Sequence, residues 1–108
     1  MRLRYLSTSA AGLRWMRAYY RRNPQLDIRR LAASLRAAET ILREHPAAGR
    51  RFEDFETVRV YLLQGTSFSL LYTVARETVW VIDVRDQRGQ RSGETLRQLL
   101  RELGGNVD

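Results

Sequence analysis

Pro46 divides the hydrophobic pattern of this chain in two, and the division limits the folds open to it. Before Pro46 apolar residues recur every three or four positions, the period of a helix face. After it they alternate, the period of a strand. A fold that satisfies both halves lays helices on one side of a sheet, in a chain whose 108 residues suit one domain.

The helical half begins after "RLRYL", residues 2 to 6, where Leu3 and Tyr5 share a face and suit a first strand. Ser7 or Ser9 is then placed to cap a helix that runs to about Arg22. On a helical wheel Leu13, Trp15, Met16, Tyr19 and Tyr20 fall on one side, and Arg14, Arg17, Arg21 and Arg22 on the other. Asn23-Pro24 reads as a cap followed by proline at the first helical position, so a second helix is predicted to about Glu44. Its apolar stripe is Ile28, Leu31, Leu35, Ala38 and Leu42. Two helices joined so closely are expected to pack as an antiparallel hairpin with one apolar seam.

"HPAAGRRFEDFE", His45 to Glu56, reads as a loop, and three β-rich runs follow at Val58–Leu63, Phe68–Ala75 and Thr78–Arg85. Gln64-Gly65 and Arg76-Glu77 punctuate them, which predicts an antiparallel meander. Alternation assigns Val58, Val60, Leu62, Phe68, Leu70, Tyr72, Val74, Trp80, Ile82 and Val84 to the side under the helices. The opposite side would carry Arg59, Tyr61, Ser69, Thr73, Asp83 and Arg85 beside Leu63, Leu71, Val79 and Val81, too apolar to be left bare. A last helix over residues 92–103, capped by Ser92 and striped with Leu96, Leu99, Leu100 and Leu103, offers a cover. The expected class is α+β: an N-terminal strand, an antiparallel helical hairpin on an antiparallel sheet of about four strands, and a short C-terminal helix. No linker or repeat divides the chain, so residues 1–108 are read as one domain.

Charge and composition narrow the chemistry. Residues 1–51 hold 12 Arg against Asp27, Glu39 and Glu44, while residues 52–108 hold 7 Arg against 9 acids. Such asymmetry suits a polyanionic partner, a nucleic acid or an acidic protein segment, although a solvated face accounts for any single Arg. Every basic side chain is Arg, so no lysine can be tuned into a general base. The absence of cysteine excludes disulfides and thiolate nucleophiles, and the lone His45 excludes a multi-histidine metal site; no metal and no cofactor are expected. The first residues lack the apolar core of a secretory signal and no segment has the roughly 18 to 20 apolar residues of a membrane span. A cytoplasmic protein with no membrane partner is the expectation.

The order of these features resembles the RelE/ParE superfamily of type II toxin-antitoxin toxins, over roughly residues 3 to 88. The residues that carry the likeness are Leu13 and Tyr19, then Leu42, Pro46, Gly49 and Arg50, Val58-Arg59 opening the meander, Leu71-Tyr72 in its middle strand, and Ile82 to Arg88 at its end. The resemblance implies one of two activities. RelE-like members cut messenger RNA on the ribosome, a ribose hydroxyl attacking the adjacent phosphate, which needs a base, an acid and cations. Arg59, Arg85 and Arg88 are the candidate cations here. The family places a Tyr or His after the last strand, whereas "RDQRGQR", Arg85 to Arg91, has neither. Asp86 would need a raised pKa that its arginine neighbours oppose, and His45 suits a helix C-terminus; Tyr61 is the remaining candidate. ParE-like members poison DNA gyrase by binding it, and the missing terminal Tyr or His favours this branch, with no catalysis by the chain itself.

The resemblance further implies a cognate antitoxin whose acidic arm wraps the toxin in a hetero-oligomer. Arg59, Tyr61, Asp83, Arg85, Arg88, Arg14, Arg17 and Arg21 are the expected partner-binding residues. The alternatives are a ribosome-dependent messenger RNA endonuclease and a degenerate interaction module with no target.

Overall fold

The computed structural model describes residues 1–86. The elements run β1 (Arg2–Tyr5), α1 (Ser9–Arg22), α2 (Ile28–Glu44), β2 (Arg50–Phe52), β3 (Phe55–Leu62), β4 (Phe68–Ala75) and β5 (Thr78–Asp86). The sheet has five strands in the order β1-β5-β4-β3-β2. β2 to β5 form an antiparallel meander, and β1 lies parallel to β5 because the helical hairpin carries the chain across before the meander begins. This is the expected α+β architecture, with one strand more and with a mixed sheet in place of a wholly antiparallel one. The predicted helix at residues 92–103, and Arg88, lie outside the described residues. No helix among the described residues is long and apolar enough to cross a membrane.

The extra strand is β2, inside the segment read as a loop. Arg50-Arg51-Phe52 carries no alternation long enough to announce a strand, but the turn at Glu53-Asp54 folds it against β3, with Arg51 opposite Arg59. Glu53 adopts a φ of 49° to make that turn.

The helix ends depart from expectation, at α1 because a long-range partner takes the hydroxyl that would cap it and at α2 because a different residue supplies the cap. Neither Ser7 nor Ser9 caps α1. The position before the helix is Thr8, whose hydroxyl donates 2.7 Å to the carbonyl of Ile82 in β5. Ser9 donates back to Leu6 at 2.6 Å. Asn23 closes α1 instead of opening α2: its Nδ2 donates 2.7 Å to the Tyr19 carbonyl, and its backbone, with φ −123° and ψ 76°, leaves the helical region that the following proline disfavours. Asp27 opens α2, its Oδ1 accepting from the Arg29 amide at 2.9 Å. Ile28 therefore sits in the first turn, exposed, and the seam of α2 is Leu31, Ala38 and Leu42, with Leu35 partly buried against the same core.

The main core lies between the helices and the sheet. Met16 and Tyr20 of α1 and Leu31, Ala38 and Leu42 of α2 meet Leu63, Phe68, Leu70, Tyr72, Val79, Val81 and Val84. Trp15 and Tyr19 meet Phe68 edge-on, with centroids at 5.2 and 5.6 Å. A smaller cluster on the other face holds Phe52, Val58, Val60, Leu71 and Ile82.

These clusters correct the face assignment. β4 is as expected through Tyr72, although Val74 is exposed, but β3 is reversed: Tyr61 pairs with Leu70 and Arg59 with Tyr72 on the helix side, while Val58 and Val60 face away. In β5 a bulge breaks the alternation, since Leu71 opposes Asp83 while Tyr72 opposes Val81. Val79 and Val81 thus lie under the helices with Val84, and the half-buried Trp80 does not.

Candidate functional site

Four of the residues that carry the family likeness, Pro46, Gly49, Arg59 and Tyr72, lie far apart in sequence and meet at one place. Tyr72, in the central part of β4, sends its hydroxyl beneath the loop that follows α2. The hydroxyl donates to the Pro46 carbonyl at 2.7 Å and accepts from the Gly49 amide at 2.8 Å. Arg59 reaches across from β3 and donates to the Gly49 carbonyl at 2.6 Å. Both backbone groups of Gly49 are thereby held by side chains of the sheet. Only glycine fits: a Cβ would stand 2.6 Å from the Tyr72 oxygen and 2.7 Å from the Val60 carbonyl. Burial pushes the Tyr72 phenol above its ordinary pKa, opposed by the Gly49 amide and the Arg59 charge, so it remains a neutral donor and acceptor.

Beside this node lies an open groove of about 350 Å³, lined by the residues before β2, the end of β3 and the start of β4. Its polar lining comes from Arg50, Tyr61, Gln64 and Ser69. Ser69 is buried, and its hydroxyl has no hydrogen-bond partner among the described residues. Tyr61 is half-buried and packs against the main core.

Arg85 belongs to the other face. Its guanidinium lies 5.0 Å from the centre of the Phe52 ring, which itself stacks on Phe55 at 5.9 Å. Ser69 is its cross-strand neighbour. The Arg85 Nε is buried and has no hydrogen-bond partner among the described residues.

The two carboxylates of β5 turn inward. Asp86 is buried at the end of the strand, opposite Phe68. Asp83 is 3% exposed, accepts from the Val84 amide at 2.8 Å, and presses against Gly12 in the first turn of α1. It is a buried group between β5 and α1, not the surface partner contact expected of it. Arg14, Arg17 and Arg21 are exposed on α1 as anticipated. His45 is the exposed residue that ends α2, its amide donating to Ile41 at 2.7 Å.

The expected single charged face thus separates into two. Arg59 and Tyr61 share the helix side with Tyr72; Arg85 lies against Phe52 on the far side, while Ser69, its cross-strand neighbour, also lines the groove beside Tyr61. Neither Tyr72 nor Gly49 is among the candidate site residues read from the sequence, although a tyrosine in the middle of an apolar strand needs a partner for its hydroxyl, and that need is the available signal. Among the described residues no group of three His, Asp or Glu side chains could hold a metal ion.

Comparison with known families agrees with this geometry. The model of the family described as "ParE toxin of type II toxin-antitoxin system, parDE" matches residues 3–91. No curated protein matches the chain. The match spans both sides of the Tyr72 node and most of the length of the chain, and the chain belongs to the ParE toxin family, within the RelE/ParE superfamily of type II toxins.

Proposed function

We propose that this toxin arrests growth by binding DNA gyrase, and that a cognate antitoxin neutralises it with an acidic arm in a hetero-oligomer. The observation that carries the reading is the division of the candidate catalytic set between the two faces of the sheet. Cleavage of RNA requires a base and phosphate-holding cations around one reacting phosphate, within hydrogen-bond reach of it. Here Tyr61 and Arg59 lie on the side of the main core, and Arg59 is engaged with Gly49. Arg85 stacks on Phe52 across the sheet. A surface that acts by binding has no need to converge these groups.

The test is expression of the full chain in growing bacteria. Filamentation, induction of the DNA-damage response and accumulation of cleaved DNA are expected, with transcripts intact on the ribosome. Collapse of translation within minutes, with toeprints in the ribosomal A site, would overturn the proposal. Tyr61→Phe would then identify the base, because it removes one hydroxyl and keeps the packed ring. Normal growth at verified protein levels would point to the degenerate module.

A further inference from the structure

The helical layer presents its outer surface as a field of arginines. Arg14, Arg17, Arg21 and Arg22 on α1 and Arg29, Arg30, Arg36 and Arg43 on α2 are all exposed. Among the described residues, Arg14, Arg17, Arg21, Arg22, Arg30 and Arg36 have no ion-pair partner, while Arg29 contacts Asp27 at 3.5 Å. Glu39, the acid placed mid-helix on α2, accepts a hydrogen bond from Tyr5. Like charges at helical spacing repel, so the array costs stability unless something uses it.

Its geometry is regular. Arg29, Arg36 and Arg43 recur at seven-residue intervals, so with about 1.5 Å of rise per residue they form a row with roughly 10.5 Å between members. Arg14, Arg17 and Arg21 make a second row on α1. Both rows stand on rigid elements packed on one sheet.

We infer that this face binds the phosphate backbone of double-stranded DNA without regard to sequence. Three observations select the occupant. Guanidinium forks pair with phosphate oxygens, and a duplex offers about one negative charge per 1.7 Å, so a stiff double row meets phosphates in any register. None of the aromatic residues described is exposed, so the face lacks the stacking platform by which proteins hold single strands. Ile28 is its one exposed large apolar side chain, so an amphipathic acidic peptide would find charge but no apolar groove to anchor in. The inference stands apart from the choice of gyrase, since the contact is made to DNA alone.

Fluorescence anisotropy of the full chain with an arbitrary 25-base-pair duplex tests it in the absence of any other protein. With about six phosphates engaged, affinity is expected to fall about 10³-fold between 50 and 200 mM salt. R14Q/R17Q/R21Q and R29Q/R36Q/R43Q, each verified as folded by its melting temperature, should each lower the log–log salt slope by about 2 to 3 units. The single variants R17Q and R36Q, with an expected loss of about one unit each, serve if a triple variant does not fold. A poly-glutamate peptide of matched charge should bind at least about tenfold more weakly than the duplex. Absence of duplex binding at 50 mM salt, a slope unchanged in the variants, or equal binding of the peptide would overturn the inference.

Discussion

Gly12 and Asp83 show how a single residue serves the fold where charge alone suggested a surface role. α1 begins without a side-chain cap, because the Thr8 hydroxyl is turned to β5. The Asp83 carboxylate lies in the first turn of that helix instead, where the N-terminal end of the helix dipole favours a negative charge. Gly12 makes the room: a Cβ there would stand 2.6 Å from Asp83 Oδ1 and 3.1 Å from the Val84 amide nitrogen. Gly12→Ala should therefore destabilise the protein by about 1 to 3 kcal/mol, despite the better helix propensity of alanine. Urea denaturation of the two proteins measures it; a stabilised Gly12→Ala would show that α1 does not lie this close to β5. At this scale the exposed arginines of α1 were legible from the helical wheel, but the fate of Asp83 was not. A carboxylate in a strand looks the same in sequence whether it faces solvent or a helix terminus.

At the scale of elements, the alternation within each strand was easier to read than the way strands fit together. β4 and β5 were located nearly to the residue because Arg76-Glu77 separates two strongly β-prone runs. β3 offered two almost equally apolar sides, Val58 and Val60 against Tyr61 and Leu63, and periodicity cannot say which one meets the helices. The bulge opposite Leu71 and Tyr72 then shifted the parity of β5, an event that no local residue pattern announces. β2 was hidden because a three-residue strand has no period. The Tyr72 node, by contrast, was partly legible, since Pro46, Gly49 and Arg59 were already noted as belonging together in order along the chain.

The β4–β5 turn also carries a prediction. Ala75 pairs with Thr78, so Arg76 and Glu77 form a two-residue hairpin loop, with φ of 53° and 59°. Both sit in the left-handed region, which costs a residue other than glycine or asparagine about 1 kcal/mol. Arg76→Asn with Glu77→Gly should stabilise the hairpin by about 1 to 2 kcal/mol and raise the denaturation midpoint. An unchanged or lower midpoint would mean that the strand register, and not the turn, sets this connection.

Considered as a whole, the molecule is joined across its layers by tyrosines, and the composition lets that be seen by titration. Tyr5 of β1 donates to Glu39 of α2, Tyr72 of β4 holds the loop after α2, and Tyr20 of α1 lies in the main core. The phenol pKa values of all three are raised above 10.0: burial is the first cause in each, reinforced by the Glu39 carboxylate at Tyr5 and by Tyr19 at Tyr20. A raised folded pKa means that the native state keeps its protons where the unfolded chain loses them. The stability from these contacts is therefore complete below pH 10 and is lost as pH rises through the folded values. With neither lysine nor cysteine in the sequence, and arginine charged throughout, tyrosine is the side chain that titrates in this window. Denaturation midpoints measured from pH 8 to 12 should fall steadily above pH 10, with phenolate absorbance rising in step. Tyr5→Phe and Tyr72→Phe should each lower stability at neutral pH, because they leave Glu39 and the Gly49 amide without their phenol partner, and each should flatten the alkaline decline. If both variants lose stability yet keep the alkaline slope of the parent, these phenols do not carry the pH response.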